Sequence, residues 1–155
     1  MTLRPGEWER LGALPLPLDL ARVRVHRADA GGLAGWLRRL VLRLSRGRAI
    51  ALGNHVFLPG RCEGDLALLA HELTHCAQYQ SWGAVRYFSR GAAAQARELL
   101  HRGLGLCESP YAYRVEEGKP FDAYGMEQQG QIVEDAVRGS PAARSLTGER
   151  CARAL

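Results

Sequence analysis

Between Asp65 and Gly83 the chain reads Asp65-Leu66-Ala67-Leu68-Leu69-Ala70-His71-Glu72-Leu73-Thr74-His75-Cys76-Ala77-Gln78-Tyr79-Gln80-Ser81-Trp82-Gly83. Asp65 suits an N-cap and Gly83 a stop, so the spacing predicts a helix over Asp65 to Trp82. Leu66, Leu69, Ala70, Leu73 and Ala77 form an apolar stripe, while His71, His75 and Gln78 share another face. That is the pattern of a buried helix offering one polar face to a cleft. His71-Glu72-Leu73-Thr74-His75 is an H-E-x-x-H motif. Residues i and i+4 are neighbours on a helix, so both imidazoles can reach one metal ion. Glu72 is turned about 100° from His71, outside the coordination shell but close to a metal-bound water. Zinc lowers the pKa of such a water from about 15.7 to about 7, and a carboxylate can take its remaining proton. With 5 His in 155 residues, random order would yield only about 0.01 such motifs.

Two histidines do not complete a catalytic zinc site, which needs a third protein ligand and an open position. A third histidine six residues after His75 is absent, because position 81 is Ser. His101 is expected on the outside of the following helix and His55 on a strand, in a packed or solvent-facing role. The carboxylates of the last helix remain: Glu127, Glu134 and Asp135. Glu127 and Glu134 are seven apart and share a face. Glu127 is preferred because small Gly130 and polar Gln131 leave room beside it, with Glu134 placed to orient a histidine N–H. The competing reading of Glu127 is a solvated carboxylate in a helix's first turn, favoured by the dipole.

Working outward, residues 1–22 carry Pro5, Pro15 and Pro17 and little periodicity, and read as an extended arm. Ala21 to Val25 suggests an edge strand. Leu33, Trp36, Leu37, Leu40, Val41 and Leu44 form a helical stripe after Gly31, with Arg38, Arg39, Arg43 and Arg46 mostly outside it and Gly47 as the stop. This reads as a core helix with a solvated basic face. Ala49-Ile50-Ala51-Leu52 and His55-Val56-Phe57-Leu58 flank Gly53-Asn54, a two-residue hairpin signal. Helices are expected from Ala84 to Arg102, with a bend at Gly91, and from Met126 to Arg138. A loop joins them, and a mobile tail covers 139–155.

Length and composition are those of one globular domain, 155 residues with 46% apolar and 24% charged. Disordered, collagen-like and coiled-coil classes are excluded. The net charge of +5 permits an acidic partner without requiring one. No apolar run reaches bilayer length. Glu7, Glu9 and Arg10 interrupt the place of a signal-peptide core, so a soluble cytoplasmic chain is expected. Cys62, Cys76, Cys107 and Cys151 form no C-x-x-C pair and read as free thiols.

The block from Arg48-Ala49-Ile50-Ala51-Leu52-Gly53-Asn54 through His71-Glu72-Leu73-Thr74-His75-Cys76-Ala77-Gln78-Tyr79-Gln80, with Tyr124-Gly125-Met126-Glu127-Gln128-Gln129-Gly130-Gln131-Ile132-Val133-Glu134-Asp135, resembles a family of small bacterial zinc metallopeptidase domains. These are associated with contractile injection systems and polymorphic toxins. The resemblance spans residues 47 to 136. It implies a gluzincin-like site in which His71, His75 and Glu127 hold Zn²⁺ and Glu72 acts as base. It also implies a secretion-system or toxin-associated partner and export by an injection system. Gly130 stands where the family pattern has alanine, which opens space without removing a ligand.

The expected fold is α+β and zincin-like: mainly helical, with a small antiparallel hairpin sheet before the H-E-x-x-H helix. In such a layout the strand His55 to Leu58 lies along the cleft and pairs with an extended peptide. A donor to the oxyanion is needed, and Tyr124 is preferred over Tyr113 and Tyr111 because it precedes Glu127 by three residues, the competing reading of each tyrosine being a packing residue. Cys62 reads as an ordinary loop or buried thiol, with occupation of the open zinc position as a latency device the lesser alternative. The expected activity is peptide-bond hydrolysis on a peptide or protein substrate. The alternative is a non-catalytic binding or assembly module with zinc as a structural staple. Binding of nucleic acid or anionic lipid through Arg38, Arg39 and Arg43 is the weakest reading, and no nucleic-acid partner is expected, since interleaved aromatics are missing.

Overall fold

The computed structural model describes residues 6, 11, 15–27, 32–45 and 47–148, apart from the side chains of 32–34, 37, 38 and 44. Most of the expected N-terminal arm, Arg46, Cys151 and the tail beyond Gly148 lie outside the described residues. The architecture is mixed α+β: five helices and a three-stranded sheet among the described residues. The strands are β1 (Arg24–His26), β2 (Ile50–Leu52) and β3 (His55–Phe57). The helices are α1 (Gly32–Leu44), α2 (Leu66–Trp82), α3 (Ala84–Leu104), α4 (Met126–Val137) and α5 (Pro141–Thr147).

β2 and β3 are the expected hairpin, antiparallel with Leu52 opposite His55. Gly53 turns it with φ +63°, and a Cβ there would stand 3.3 Å from the Tyr79 ring, so position 53 needs glycine twice over. The sheet departs from a purely antiparallel one. β1 joins β3 in parallel, with Val25 opposite Val56, in the order β1-β3-β2. A parallel pair needs a long crossover, and α1 with β2 supplies it. The first strand also starts later than Ala21. The Asp19 carboxylate accepts from the Ala21 N–H (3.0 Å) and winds Leu20–Arg22 into a 3₁₀ turn, so pairing begins where the Arg24 N–H reaches the Asn54 carbonyl (2.8 Å).

α2 begins as its sequence requires: the Asp65 carboxylate accepts from the Leu68 N–H at 3.0 Å, and Gly83 ends the helix at φ +78°. It is buried from Ala67 to Gln78 apart from Leu68, which is why its polar face is enclosed rather than solvated. Leu69, Leu73 and Cys76 pack with Val25, Val56, Leu58 and Val133 to make the main core. α4 makes its largest contact with α2. Three further expectations are corrected. α1 is not a core helix along its whole stripe, because Trp36 is 56% and Leu40 38% exposed. α3 continues through Gly91 to Leu104 as one helix. Residues 141–147 are a helix rather than a tail: Ser140 caps it, Pro141 opens it, and Ala143 packs on Ile132, Ala136 and Tyr124.

Candidate metal centre

α2 and α4 bring His71, His75 and Glu127 together. One ligand atom from each lies within 4.8 Å of the others, and all three residues are buried. Glu127 Oε2 is 3.7 Å from His71 Nε2 and 3.4 Å from His75 Nε2. Two ligands at zinc bond lengths and tetrahedral angles stand roughly 3.3 Å apart, so two imidazoles and a carboxylate at these separations fit one such ion.

The outer nitrogens explain why the inner ones converge. His71 Nδ1 donates to Glu134 Oε2 at 3.1 Å, and Glu134 Oε1 is held by Arg138 Nη2 at 3.0 Å. Arg138 also reaches Asp65 Oδ2 (3.0 Å), tying α4 to the N-cap of α2. His75 Nδ1 meets Gln78 Oε1 at 2.8 Å. The amide is oriented from its other end, because Gln78 Nε2 donates to the Met126 carbonyl (3.1 Å) and to Gln129 Oε1 (2.9 Å). Gln129 Nε2 donates in turn to the Tyr124 carbonyl at 2.9 Å. Nδ1 is therefore the donor on both histidines, which turns both Nε2 atoms toward Glu127.

Electrostatics follow from this crowding. Burial opposes charge on all three, yet the two carboxylates beside His71 push it up to about 10. His75 is likewise raised, burial again opposing and Glu127 prevailing. The two imidazoles hold Glu127 well below the usual carboxylate range, against the effect of its burial. Glu72 moves the other way: burial raises it, with only partial relief from His71 and His75. Glu72 lines a cavity of about 590 Å³ together with His71, His75, Glu127, Met126 and Tyr111. One wall is Val41 and Arg48 to Leu52; the other is α3 from Tyr87 to Arg102.

Several expected participants lie elsewhere. Tyr124 is not on the cavity wall: its hydroxyl donates to the Arg114 carbonyl (3.1 Å) and accepts from the Glu116 N–H (3.2 Å), and its ring packs on Ile132. Tyr113 donates to Asp135 Oδ2 at 2.7 Å. Tyr111 lines the cavity, with its ring centroid 6.2 Å from that of His71, and burial pushes its hydroxyl above the ordinary tyrosine range. Cys62 sits in the turn Gly60–Cys62, off the cavity wall. His55 pairs with His26 at 2.9 Å. The strand along the cleft is β2, the sheet edge, and not the central β3. Gly130 leaves no open space: a Cβ there would lie 2.8 Å from His71 Nε2. Gln78 was visible on the histidine face of the helix, but its role as the partner of His75 was missed; the i, i+3 spacing was the available signal.

Residues 14–83 match the family model described as the eCIS core domain. A stretch of 68 residues is 46% identical to the type VI secretion system spike protein VgrG2b of Pseudomonas aeruginosa, covering 44% of this chain and 6% of that protein. No solved structure matches the chain. The family match takes in the sheet, His71, Glu72 and His75, and stops before Glu127. Both similarities associate the chain with contractile injection systems.

Proposed function

We propose that this chain is a module of a contractile injection system whose zincin-like centre, His71, His75 and Glu127, binds Zn²⁺ and hydrolyses a peptide bond. The observation that carries the hydrolytic reading is Glu72, a buried carboxylate that opens onto the cavity beside the three donors. A site that only stapled two helices has no use for it. When bound, zinc supplies Lewis acidity, lowering the pKa of water to about 7 and polarising a carbonyl. Glu72, buried beside the three donors, takes a proton from the attacking water and delivers it to the leaving amine nitrogen. The Tyr111 hydroxyl donates to the carbonyl oxygen as it gains negative charge. The substrate backbone lies along β2. The two-residue turn makes Leu52–His55 a hydrogen-bonded pair, so the Ala51 amide and carbonyl point away from β3. Tyr87 already occupies that carbonyl at 2.8 Å, which leaves the Ala51 N–H for a peptide.

A second reading is favoured by the comparisons: an assembly module in which the metal fastens α2 to α4, in keeping with similarity to a spike protein. Glu72→Gln separates the two. Hydrolysis predicts equal zinc content in both proteins and a loss of about 10²–10⁴-fold in peptide cleavage by the variant, measured on a peptide library. Zinc bound equally by both proteins, with no cleavage by either, would leave the assembly reading in possession.

A further inference from the structure

We infer that Gly91 is the floor of a subsite that takes one large apolar side chain of the substrate, such as Leu, Met or Phe, beside the scissile bond. This subsite deepens the hydrolytic reading, and rests on that reading for the bond cleaved but not for the pocket. Two observations converge on it.

The first is a glycine that neither the backbone nor the packing requires. Gly91 lies inside α3, which runs unbroken from Ala84 to Leu104, and its φ is not positive. Glycine inside a helix is less favourable than alanine, because it gives up more backbone freedom on folding. Close approach does not demand it either. Outside its own helix, a Cβ built there meets one atom within 4 Å, Met126 Cε at 3.9 Å, which is ordinary van der Waals contact. Gly130 is the opposite case, with the His71 ring against it. What Gly91 leaves is room in the cavity whose wall it forms.

The second is where that room lies and what surrounds it. One helical turn before Gly91, the Tyr87 hydroxyl donates to the Ala51 carbonyl of β2 at 2.8 Å. The atom facing Gly91, Met126 Cε, belongs to the residue before Glu127. The space therefore opens between the strand and the metal donors, where a side chain next to the scissile bond enters from a backbone laid along β2. Its surroundings are apolar: Val41, Ile50, Phe88, Ala92 and Met126 line the cavity. Phe88 is 50% exposed, an aromatic surface that a ligand side chain would cover. Charges on the wall are of both signs, so selection here works through apolar burial. Glu72 and Glu127 stand at the metal end, and Arg48 is exposed. Glu98 is seven residues further along α3, about 10 Å along its axis. There it is 3.7 Å from Arg102 and bonded to Ser109 at 3.3 Å. A charged side chain would give up its hydration against these apolar walls.

Amino-acid hydroxamates test the subsite without cleavage, since the hydroxamate binds zinc and the side chain reports the pocket. On the zinc-equilibrated protein, leucine and phenylalanine hydroxamates should bind about tenfold or more tighter than glycine hydroxamate, by calorimetry. Those of glutamate and lysine should bind no tighter than that of glycine. Gly91→Leu should fill the subsite, bringing leucine and phenylalanine hydroxamates down to the level of glycine hydroxamate, which keeps its affinity. Gly91→Ala should retain most of the preference and melt about 1–4 °C higher than the wild type, as a helical glycine with no structural duty predicts. Equal affinity for the glycine and leucine compounds in the wild type, an unchanged preference in Gly91→Leu, or a lower melting temperature in Gly91→Ala would overturn the subsite. No binding of any hydroxamate would overturn it together with the metal centre. Peptide cleavage without preference for an apolar residue at the cut would overturn it and leave the hydrolytic reading standing. Apolar hydroxamate preference without cleavage by the wild-type protein would uphold the pocket and remove the hydrolytic reading alone.

Discussion

Gln78 shows how one uncharged side chain can decide what a histidine offers. Its amide accepts from His75 Nδ1 and donates to the Met126 carbonyl and to Gln129 Oε1, all in the buried interior. Gln78→Leu strands a buried donor on His75 and two acceptors on α4. It should cost about 1–3 kcal/mol of stability and weaken zinc binding about 10- to 100-fold, read by competition with a chromophoric chelator. Gln78→Glu keeps the acceptor for His75 and loses only the donor, so affinity should recover in part while stability does not. Affinity falling equally in both would assign Gln78 to packing alone. That His71 and His75 share a face was legible because helical spacing fixes it, whereas the preference for Glu127 leaned on room beside Gly130 that the His71 ring fills, and on the family resemblance. The tyrosine was not legible. Residues 105–125 have no period, so nothing local distinguishes Tyr111, which reaches the cavity, from Tyr124, which turns to the Arg114 carbonyl.

At the scale of elements, the site depends on how α4 is registered on α2, and Asp65 serves both helices. It caps α2 through the Leu68 N–H and receives Arg138 from α4. Asp65→Ala should destabilise by about 1 kcal/mol through the lost cap, with little more from the exposed ion pair, measured by urea unfolding. Burial opposes the charged form of Asp65, but the Leu68 N–H and Arg138 outweigh it and lower its pKa. A carboxylate lowered on folding stabilises fully above its unfolded pKa and loses that contribution as pH falls through the folded value. The gap between wild type and variant should therefore be constant near neutrality and close below about pH 4. A gap that persisted into stronger acid would show that the cap does not act through its charge. The cap, the glycine stop and the hairpin turn were readable because each is set by neighbouring residues. The parallel pairing of β1 and the exposure of α1 were not, since both depend on partners far along the chain.

For the whole molecule, the central question is what binds α2 and α4 into one unit. Their shared core runs through Leu73 and Val133, and α5 extends it against Ile132 and Ala136. That last contact was hidden in a segment too short and too polar to show a period. Across this interface the three candidate donor residues come from two elements more than fifty positions apart in sequence. An ion bound there acts on the folded chain only, because the unfolded chain has no reason to keep His71 and Glu127 together. Its binding free energy is therefore added to stability. Zinc at about a thousand times its dissociation constant should add about 4 kcal/mol, which for a chain of this size raises the melting temperature by about 10 °C. Glu127→Ala removes the only donor from α4, so the variant should melt at nearly the same temperature with and without zinc, even though His71 and His75 remain on α2. Calorimetry of both proteins, with zinc and with chelator, gives the answer. An equal rise in both would place the ion outside this cluster, and no rise in the wild type would remove the metal from the hydrolytic and assembly readings alike.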